Sequence, residues 1–251
     1  MPRPDVDRGA DRVVDTGVGT LDRALGVVEA VERGARTFTA VASTTGLPRS
    51  TAHRLLKALT AHGLVGFETG FGYRLGPRLL QLAATARREA PLRDLAHPSL
   101  ERLARETGES AQLYVRSGEA RVCVDAVESE RELRTIVPVG ASLPLSAGSA
   151  AKVFLAWDPD RIRQVRRAAD PDRFARDVEM VRTRGWASSA AEREAGVGSV
   201  SAPVVGPNDV LVGVVSVSGP VGRMGRASGR RAVPALLRAA REIEGALGSE
   251  R

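Results

Sequence analysis

Hydrophobic residues recur at helical spacing in three successive segments near the start of the chain. The first pattern begins at Leu21 and ends at Gly34, and Thr37 can cap a second, short helix that stops near Gly46. A third helical pattern covers about 48–62. The sequence therefore predicts three short helices separated by turns that contain glycine.

Two short runs with alternating polarity follow, over 64–67 and 73–75, with a loop at 68–72 that contains two glycines. This arrangement is typical of a β-hairpin. Three helices followed by a hairpin give the element order of a winged helix-turn-helix. The next helical pattern starts at Pro77 and ends before Pro91, and we interpret it as a linker helix that also packs against a partner chain.

From about residue 92 onward, helical patterns are mixed with short alternating runs. Helices are expected over about 92–107, from Ser149 onward, and over 159–168, 171–184 and 228–247. Strands are expected over 111–116, 121–127, 133–137, 186–189, 199–205 and 211–218. This mixture predicts an α+β fold with a mainly antiparallel sheet.

Positive charge is concentrated in the predicted third helix, the hairpin and the linker. The chain has a formal net charge of +7, and the stretch from Arg36 to Arg88 holds eight basic residues against Glu68 alone. Basic side chains neutralise DNA phosphates, and polar ones near the start of a recognition helix reach base edges in the major groove. The residues expected to contact operator double-stranded DNA are Arg36, Arg49, Ser50, Thr51, His53, Arg54, Lys57, Tyr73 and Arg74. The alternative is that they form the solvated face of a small helical bundle.

The chain has one cysteine and three histidines, so few residues could bind a metal ion or form a disulfide. Because Cys123 is the single cysteine, it cannot form an intrachain disulfide, and such a cysteine content is consistent with a reducing cytoplasm. Cys123 lies between two valines, so it is expected to be a small buried hydrophobic residue. No metal and no cofactor is expected. No apolar run reaches the length of a membrane span, so no membrane association is expected, and residues 1–19 are expected to be a disordered tail.

Ser149 and Lys152 are three residues apart, which places both on one face of a helix. In serine penicillin-recognising enzymes this spacing combines a nucleophile with a lysine, so a serine acyl-transfer enzyme is one alternative. The Ser-Asp-Asn and Lys-Thr-Gly elements that such enzymes also need do not occur in the sequence. Serines at alternate positions of the last two predicted strands suit either a polar concave pocket or a solvent-facing sheet.

Several segments resemble the isocitrate-lyase-regulator (IclR) type family of bacterial transcription factors. The residues that carry the resemblance are 143–156 (LPLSAGSAAKVFLA), 184–187 (RGWA), 192–197 (EREAGV), Pro203 and 216–220 (SVSGP). The run 49–56 (RSTAHRLL) is similar to the recognition helix of that family, so the resemblance spans about residues 20–247.

The resemblance implies a winged helix-turn-helix at 20–76, a linker helix at 77–90 and a GAF-like effector-binding and oligomerisation domain at 91–251. It also implies a homodimer or a dimer of dimers, and a small organic effector that is a carboxylate or an aromatic compound. Carried over by position, the effector contacts are Ser149, Ala150, Ser189 or Ala190, Ser199, Ser216 and Ser218. The implied function is repression or activation of transcription under effector control. A ligand-binding module that no longer binds DNA is the third alternative.

Overall fold

The computed structural model describes residues 16–88, 91–225 and 229–249. The chain divides into two compact units, the first up to Ala90 and the second from Pro91. Of the predicted tail, residues 1–15 lie outside the described part of the chain, and the first helix already begins at Gly19. No helix among the described residues combines the length and the apolar run that crossing a membrane requires.

The described part of the first unit contains four helices and one hairpin. Helices α1 to α4 are Gly19–Glu32, Phe38–Thr45, Arg49–Ala61 and Pro77–Arg88. Strands β1 and β2, Val65–Glu68 and Gly72–Leu75, pair antiparallel with Phe67 opposite Tyr73. This order confirms the winged helix-turn-helix predicted from the sequence.

Local signals explain where the first helices begin and end. The hydroxyl of Thr37 accepts a hydrogen bond from the backbone N–H of Ala40 at 3.1 Å, which caps α2 as predicted. Gly46 ends α2 in the left-handed region at φ 65°, a conformation that glycine adopts without strain. The side chains buried between the helices are Val27, Val31, Val41, Ala52, Leu55, Leu56 and Leu59. The core of this unit therefore follows the helical periodicity of the sequence.

The second unit is built on one six-stranded antiparallel sheet with the order β5-β4-β3-β8-β7-β6. Strands β3 to β8 are Ser110–Ser117, Ala120–Val127, Ser142–Pro144, Ala187–Ala190, Val197–Val205 and Leu211–Pro220. Helices α5 to α10 are Pro91–Thr107, Ser149–Ala156, Ile162–Val165, Pro171–Arg184, Val221–Met224 and Val233–Ser249. One hydrophobic core joins the sheet to α5 and α10, and a second core joins it to α6 and α8. The α+β class with an antiparallel sheet is confirmed.

The strand predicted over 133–137 is wrong. Thr135 and Val137 are buried while Ile136 is exposed, as in a strand, but no strand of the described sheet pairs with this segment. On its outer side β4 pairs instead with β5, at 142–144, through residues 120–122. Alternation records which side chains face inward, whereas a strand also needs a partner for its backbone groups.

The ends of two other helices also differ from the prediction. Helix α7 covers only Ile162–Val165 of the predicted 159–168. Helix α10 begins at Val233, after a 3₁₀ turn at Gly229–Ala232, instead of near residue 228. Proline in a first helical turn loses no intrahelical hydrogen bond, so Pro234 suits this later start. The short helix α9 was not predicted.

Candidate functional site

Helix α3 presents a row of polar and basic side chains to solvent. Ser50, His53, Arg54 and Lys57 are spaced as neighbours on one helical face, and all four are exposed. We call this row the recognition face. Among the residues that the structure describes, neither Arg54 nor Lys57 has an acidic partner. The recognition face therefore carries two unneutralised positive charges.

The beginning of α3 is fixed against α2 through Phe38. The guanidinium carbon of Arg49 lies 4.9 Å from the centroid of the Phe38 ring, within the range of a cation–π contact. The ring of His53 meets the same phenyl ring edge-on, with 6.2 Å between centroids. Thr51, between them in the sequence, is half-buried. Arg49 and His53 thus contact α2 as well as being exposed to solvent.

The three predicted contacts outside α3 have partners within the first unit. Nη1 of Arg36 donates to the carbonyl oxygens of Val31 at 2.8 Å and Tyr73 at 3.3 Å. The backbone N–H of Tyr73 donates to the carbonyl oxygen of Arg36 at 2.8 Å. Arg74 forms an ion pair with Glu68 across the hairpin. Arg36 and Tyr73 therefore attach the hairpin to the helices, and Arg74 connects the two strands of the hairpin. The sequence did not reveal these roles.

A pocket opens in the second unit beside the start of α6. Its free space is about 420 Å³ with the open mouth included. Of the predicted effector contacts it is lined by Ser149, Ala150, Ser189, Ser199, Ser216 and Ser218. We call it the serine pocket. Ala190 is absent from its lining because side chains of β6 alternate, and Ser189 takes the inward position.

Serine hydroxyls from three elements form a continuous chain of hydrogen bonds next to the pocket. The Oγ of Ser149 on α6 lies 2.6 Å from that of Ser199 and 2.7 Å from that of Ser201, both on β7. The Oγ of Ser201 lies 2.8 Å from that of Ser216 on β8. The chain ends where Ser216 donates to the carbonyl oxygen of Val200 at 3.2 Å. These contacts join α6 to the sheet.

Lys152 is buried, and its ammonium group is hydrogen-bonded to groups other than Ser149. Its Nζ donates to the carboxylates of Asp177 at 2.7 Å and Glu192 at 2.6 Å, and to the carbonyl oxygen of Ser188 at 3.0 Å. An ammonium group has three hydrogens, so all of its donors are used. A nucleophile next to a basic amine is therefore not formed. Among the described residues, no group of three or more His, Cys, Asp and Glu side chains is placed to hold a metal ion.

Sequence reasoning missed several residues of the pocket lining. The missed residues are Tyr114, Arg121, Thr135, Val137, Leu143, Gly148, Arg193, Glu194 and Val197. Burial raises the pKa of the Tyr114 hydroxyl well above its usual range and lowers the pKa of Arg121 to about 10. One signal in the sequence could have identified Arg121. It lies two residues before the buried Cys123 on β4, so the two side chains point to the same face of the sheet.

Comparison with known proteins identifies the family. The IclR helix-turn-helix domain model matches residues 20–68, and the model of the bacterial transcriptional regulator IclR C-terminal region matches residues 84–245. The chain belongs to the IclR family. Glycerol operon regulatory proteins from Streptomyces griseus and Streptomyces coelicolor are 33% and 30% identical to it. These matches cover 82% and 93% of this chain, and 87% and 96% of the relatives.

Solved structures of transcriptional regulators, two of them described as IclR regulators, have the same fold. A transcriptional regulator from Rhodococcus sp. RHA1 is 29% identical and gives a TM-score of 0.75, over 93% of this chain and 100% of that one. This member of the IclR family is therefore a transcriptional regulator with a helix-turn-helix DNA-binding domain and a C-terminal effector domain.

Proposed function

We propose that this regulator acts in the cytoplasm, where it binds an operator in double-stranded DNA, and that a small organic effector in the serine pocket controls this binding. The observation that carries the proposal is the recognition face of α3, on which Arg54 and Lys57 have no acidic partner among the described residues. Unneutralised charges on an exposed helix of this type are suited to the phosphates that flank the major groove.

The predicted DNA contacts divide into two groups by their surroundings. We propose that Ser50, His53, Arg54 and Lys57 reach base edges and adjacent phosphates, with Arg49 and Thr51 beside them. Arg36, Tyr73 and Arg74 have partners within the unit, so we assign them to positioning the hairpin along the DNA backbone. Base contacts specify a sequence, whereas backbone contacts set register.

We also propose that the protein works as a homodimer or a dimer of dimers. Helix α4 supports this proposal because Leu80 and Leu82 are 74% and 45% exposed, so their apolar surface is available to pack against a second copy of the chain. Paired recognition helices would then contact two half-sites about one helical turn, or a multiple of it, apart. Light scattering of the protein and of the Leu80→Glu variant tests this: the wild type should be at least dimeric and the variant a smaller species.

Operator binding is tested by fluorescence anisotropy with the DNA fragment upstream of the gene and a scrambled fragment of equal length. Arg54→Ala and Lys57→Ala should each weaken binding about tenfold, and loss of a phosphate contact should lower the salt dependence by about one ion. The matched control is Arg166→Ala, which removes an exposed arginine of the second unit. Equal losses in all three variants, or equal affinity for both fragments, would refute specific binding through α3.

Effector control is tested by repeating the titration with small molecules present. Two relatives are named as glycerol operon regulatory proteins, so glycerol belongs in this screen beside small carboxylates and aromatics. Ala150→Leu should abolish any response because it fills the pocket, while Ala190→Leu, outside the lining, should leave the response intact. Effector binding with no operator binding would favour a module that has lost its DNA function. Acyl transfer is not part of the proposal, because Lys152 is held by two carboxylates.

A further inference from the structure

Aromatic residues are concentrated in the hairpin of the first unit. The chain has five phenylalanines, two tyrosines and two tryptophans, and Phe67, Phe71 and Tyr73 all lie within residues 67–73. Phe67 and Phe71 are 61% and 73% exposed, whereas Phe154 and Phe174 of the second unit are buried. The hairpin therefore presents two large apolar rings to solvent beside the DNA-binding helices.

The two exposed rings differ in their surroundings. Phe67 lies opposite Tyr73 in the register of the hairpin, and their rings meet edge-on with 5.1 Å between centroids. Such a cross-strand pair stabilises the pairing of the two strands. Phe71 lies in the turn between the strands, and its ring contacts no other aromatic ring among the described residues. The pairing of the strands therefore explains Phe67 but does not explain Phe71.

The chemistry of the turn does not require an aromatic residue either. The backbone N–H of Phe71 donates to the carbonyl oxygen of Glu68 at 3.1 Å, and Gly70 supplies the left-handed conformation of the turn at φ 88°. Residues that favour turns are small or polar, and a benzyl side chain adds nothing to the closing hydrogen bond. The role of the Phe71 ring therefore lies outside the folding of the hairpin.

The turn is attached firmly to the helices directly after Phe71. Gly72 has φ 77°, and a Cβ atom built on it would lie 2.1 Å from the carbonyl oxygen of Arg36. The same oxygen accepts from the backbone N–H of Tyr73 at 2.8 Å, and Nη1 of Arg36 donates to the carbonyl oxygen of Tyr73 at 3.3 Å. Arg36 precedes Thr37, the N-cap of α2. Because its backbone is already fixed, Phe71 loses little freedom when it binds.

The charge around the hairpin favours DNA over a protein as the occupant. The stretch 36–88 carries eight basic residues and one acidic residue, Glu68, which Arg74 neutralises. Such a surface attracts phosphates, and an apolar ring that it carries toward DNA gains by stacking on bases. Each hairpin strand has four residues, about 13 Å at 3.3 Å per residue. The turn can therefore reach the minor groove next to the major groove that holds α3.

We propose that the Phe71 ring enters this minor groove, inserts between two adjacent base pairs and kinks the duplex. This inference rests on the proposed function, because it adds a residue that selects the operator through the deformability of the DNA. Apolar side chains that open a base step in this way bend DNA by about 20–90°. The pyrimidine–purine steps TA and CA/TG unstack most easily, so Phe71 selects such a step without a hydrogen bond to its bases.

The bend is measured by resonance energy transfer between dyes at the two ends of the DNA fragment upstream of the gene, with the full-length protein at saturation. The wild type should raise the transfer as expected for a kink of at least about 20°. Phe71→Ala should lose at least half of this rise and bind about tenfold more weakly. Phe71→Leu should keep most of the rise, because leucine is also an apolar wedge. The matched control is Thr69→Ala, an exposed change in the same turn, which should behave like the wild type.

The base step is identified by selection from a library of randomised duplexes. Sequences selected by the wild type should contain a TA or CA/TG step at a fixed distance from the bases read by α3, whereas those selected by Phe71→Ala should keep these bases and lose the step. Replacing the step by a stiff A-tract should weaken the wild type about tenfold and Phe71→Ala less than about twofold. In the wild-type complex, 2-aminopurine at the step should become more fluorescent as it unstacks.

The proposal is overturned if the bound operator is straight, if Phe71→Ala bends it as much as the wild type does, or if this variant keeps the step preference. It is also overturned if Phe71→Ala lowers the oligomeric state in light scattering while the bend is unchanged, because Phe71 would then contact a second copy of the chain. Circular-dichroism melting should show that Phe71→Ala is folded, since substitutions of exposed residues change stability little.

The same measurements separate this inference from the proposed function. If the wild type prefers the operator to the scrambled fragment but does not bend it, the insertion of Phe71 fails and the proposed function stands. If the wild type binds and bends both fragments equally, and Phe71→Ala bends neither, the proposed operator specificity fails and the insertion of Phe71 stands.

Discussion

Replacing Lys152 with methionine removes the cation that connects three parts of the second unit. Lys152 lies on α6 and is 1% exposed. Its ammonium group donates to Asp177 of α8, to Glu192 in the loop after β6, and to the carbonyl oxygen of Ser188. Methionine preserves most of the length and apolar volume, so Lys152→Met removes the charge and three hydrogen bonds without opening a large cavity.

The magnitude follows from the two carboxylates that lose their partner. Removal of one member of a buried ion pair costs about 3–5 kcal/mol, because the other charge is left uncompensated. The side chains of Asp177 and Glu192 are 31% and 21% exposed, so water satisfies part of their charge. We therefore expect the lower end of the range, about 3 kcal/mol of unfolding free energy, or about 6–12 °C in melting temperature for a unit of this size.

The assay uses the positions of the two tryptophans. Trp157 and Trp186 both belong to the second unit, so tryptophan fluorescence in a urea titration reports the unfolding of that unit. Lys57→Met changes the other lysine of the chain, on the exposed face of α3, and should leave this transition unchanged. Adding Glu192→Gln to Lys152→Met should recover part of the loss. A loss below about 1 kcal/mol would show that the carboxylates do not depend on this cation, as exposed pairs do not.

Three further predictions concern other features of the chain. Gly72→Ala should destabilise the first unit by at least about 2 kcal/mol more than Gly70→Ala, as measured by circular-dichroism melting. A Cβ atom at Gly72 would lie 2.1 Å from the carbonyl oxygen of Arg36, whereas a Cβ atom at Gly70 would have nothing within 4 Å. Equal losses in the two variants would contradict this. Burial raises the pKa of the Cys123 thiol from 9.0 to about 12. Between these two pH values the folded state keeps a proton that the unfolded state has lost. The free energy of unfolding should therefore fall above about pH 9, by up to about 1.4 kcal/mol per pH unit. Cys123→Ala should reduce this slope, and an unchanged slope would count against it. Mass spectrometry after incubation with penicillin G should show no adduct on Ser149, and an acylated serine would reverse the assignment of Lys152.

The first unit could be predicted from the sequence because its signals are local. The spacing of apolar residues in α3, the hydroxyl of Thr37 and the left-handed turn at Gly46 each act within a few residues. These signals place the recognition face on the solvent side without any knowledge of the rest of the fold. The contact between Arg36 and Tyr73 could not be predicted, because it depends on how the hairpin folds back onto the helices.

The serine pocket could be predicted from the sequence in part, and the tertiary structure decided the rest. Strict alternation along β7 and β8 places Ser199 with Ser201, and Ser216 with Ser218, on one face of the sheet. The sequence alone left open whether that face was solvated or part of a pocket. The packing of α6 against the sheet decided this, because it places Ser149 in hydrogen-bonding distance of β7.

Contacts between residues distant along the chain decided the features that the sequence did not predict. The segment 133–137 has the alternation of a strand, but the outer edge of β4 pairs with β5, at residues 120–122, and no strand of the described sheet pairs with this segment. Lys152 resembles a catalytic lysine in sequence, yet α8 and the loop after β6 supply two carboxylates that neutralise it. Arg121 is one more arginine in an arginine-rich chain until the fold buries it beside Tyr114. Sequence periodicity determines which way a side chain points, whereas the charge or backbone that it meets there depends on residues distant along the chain.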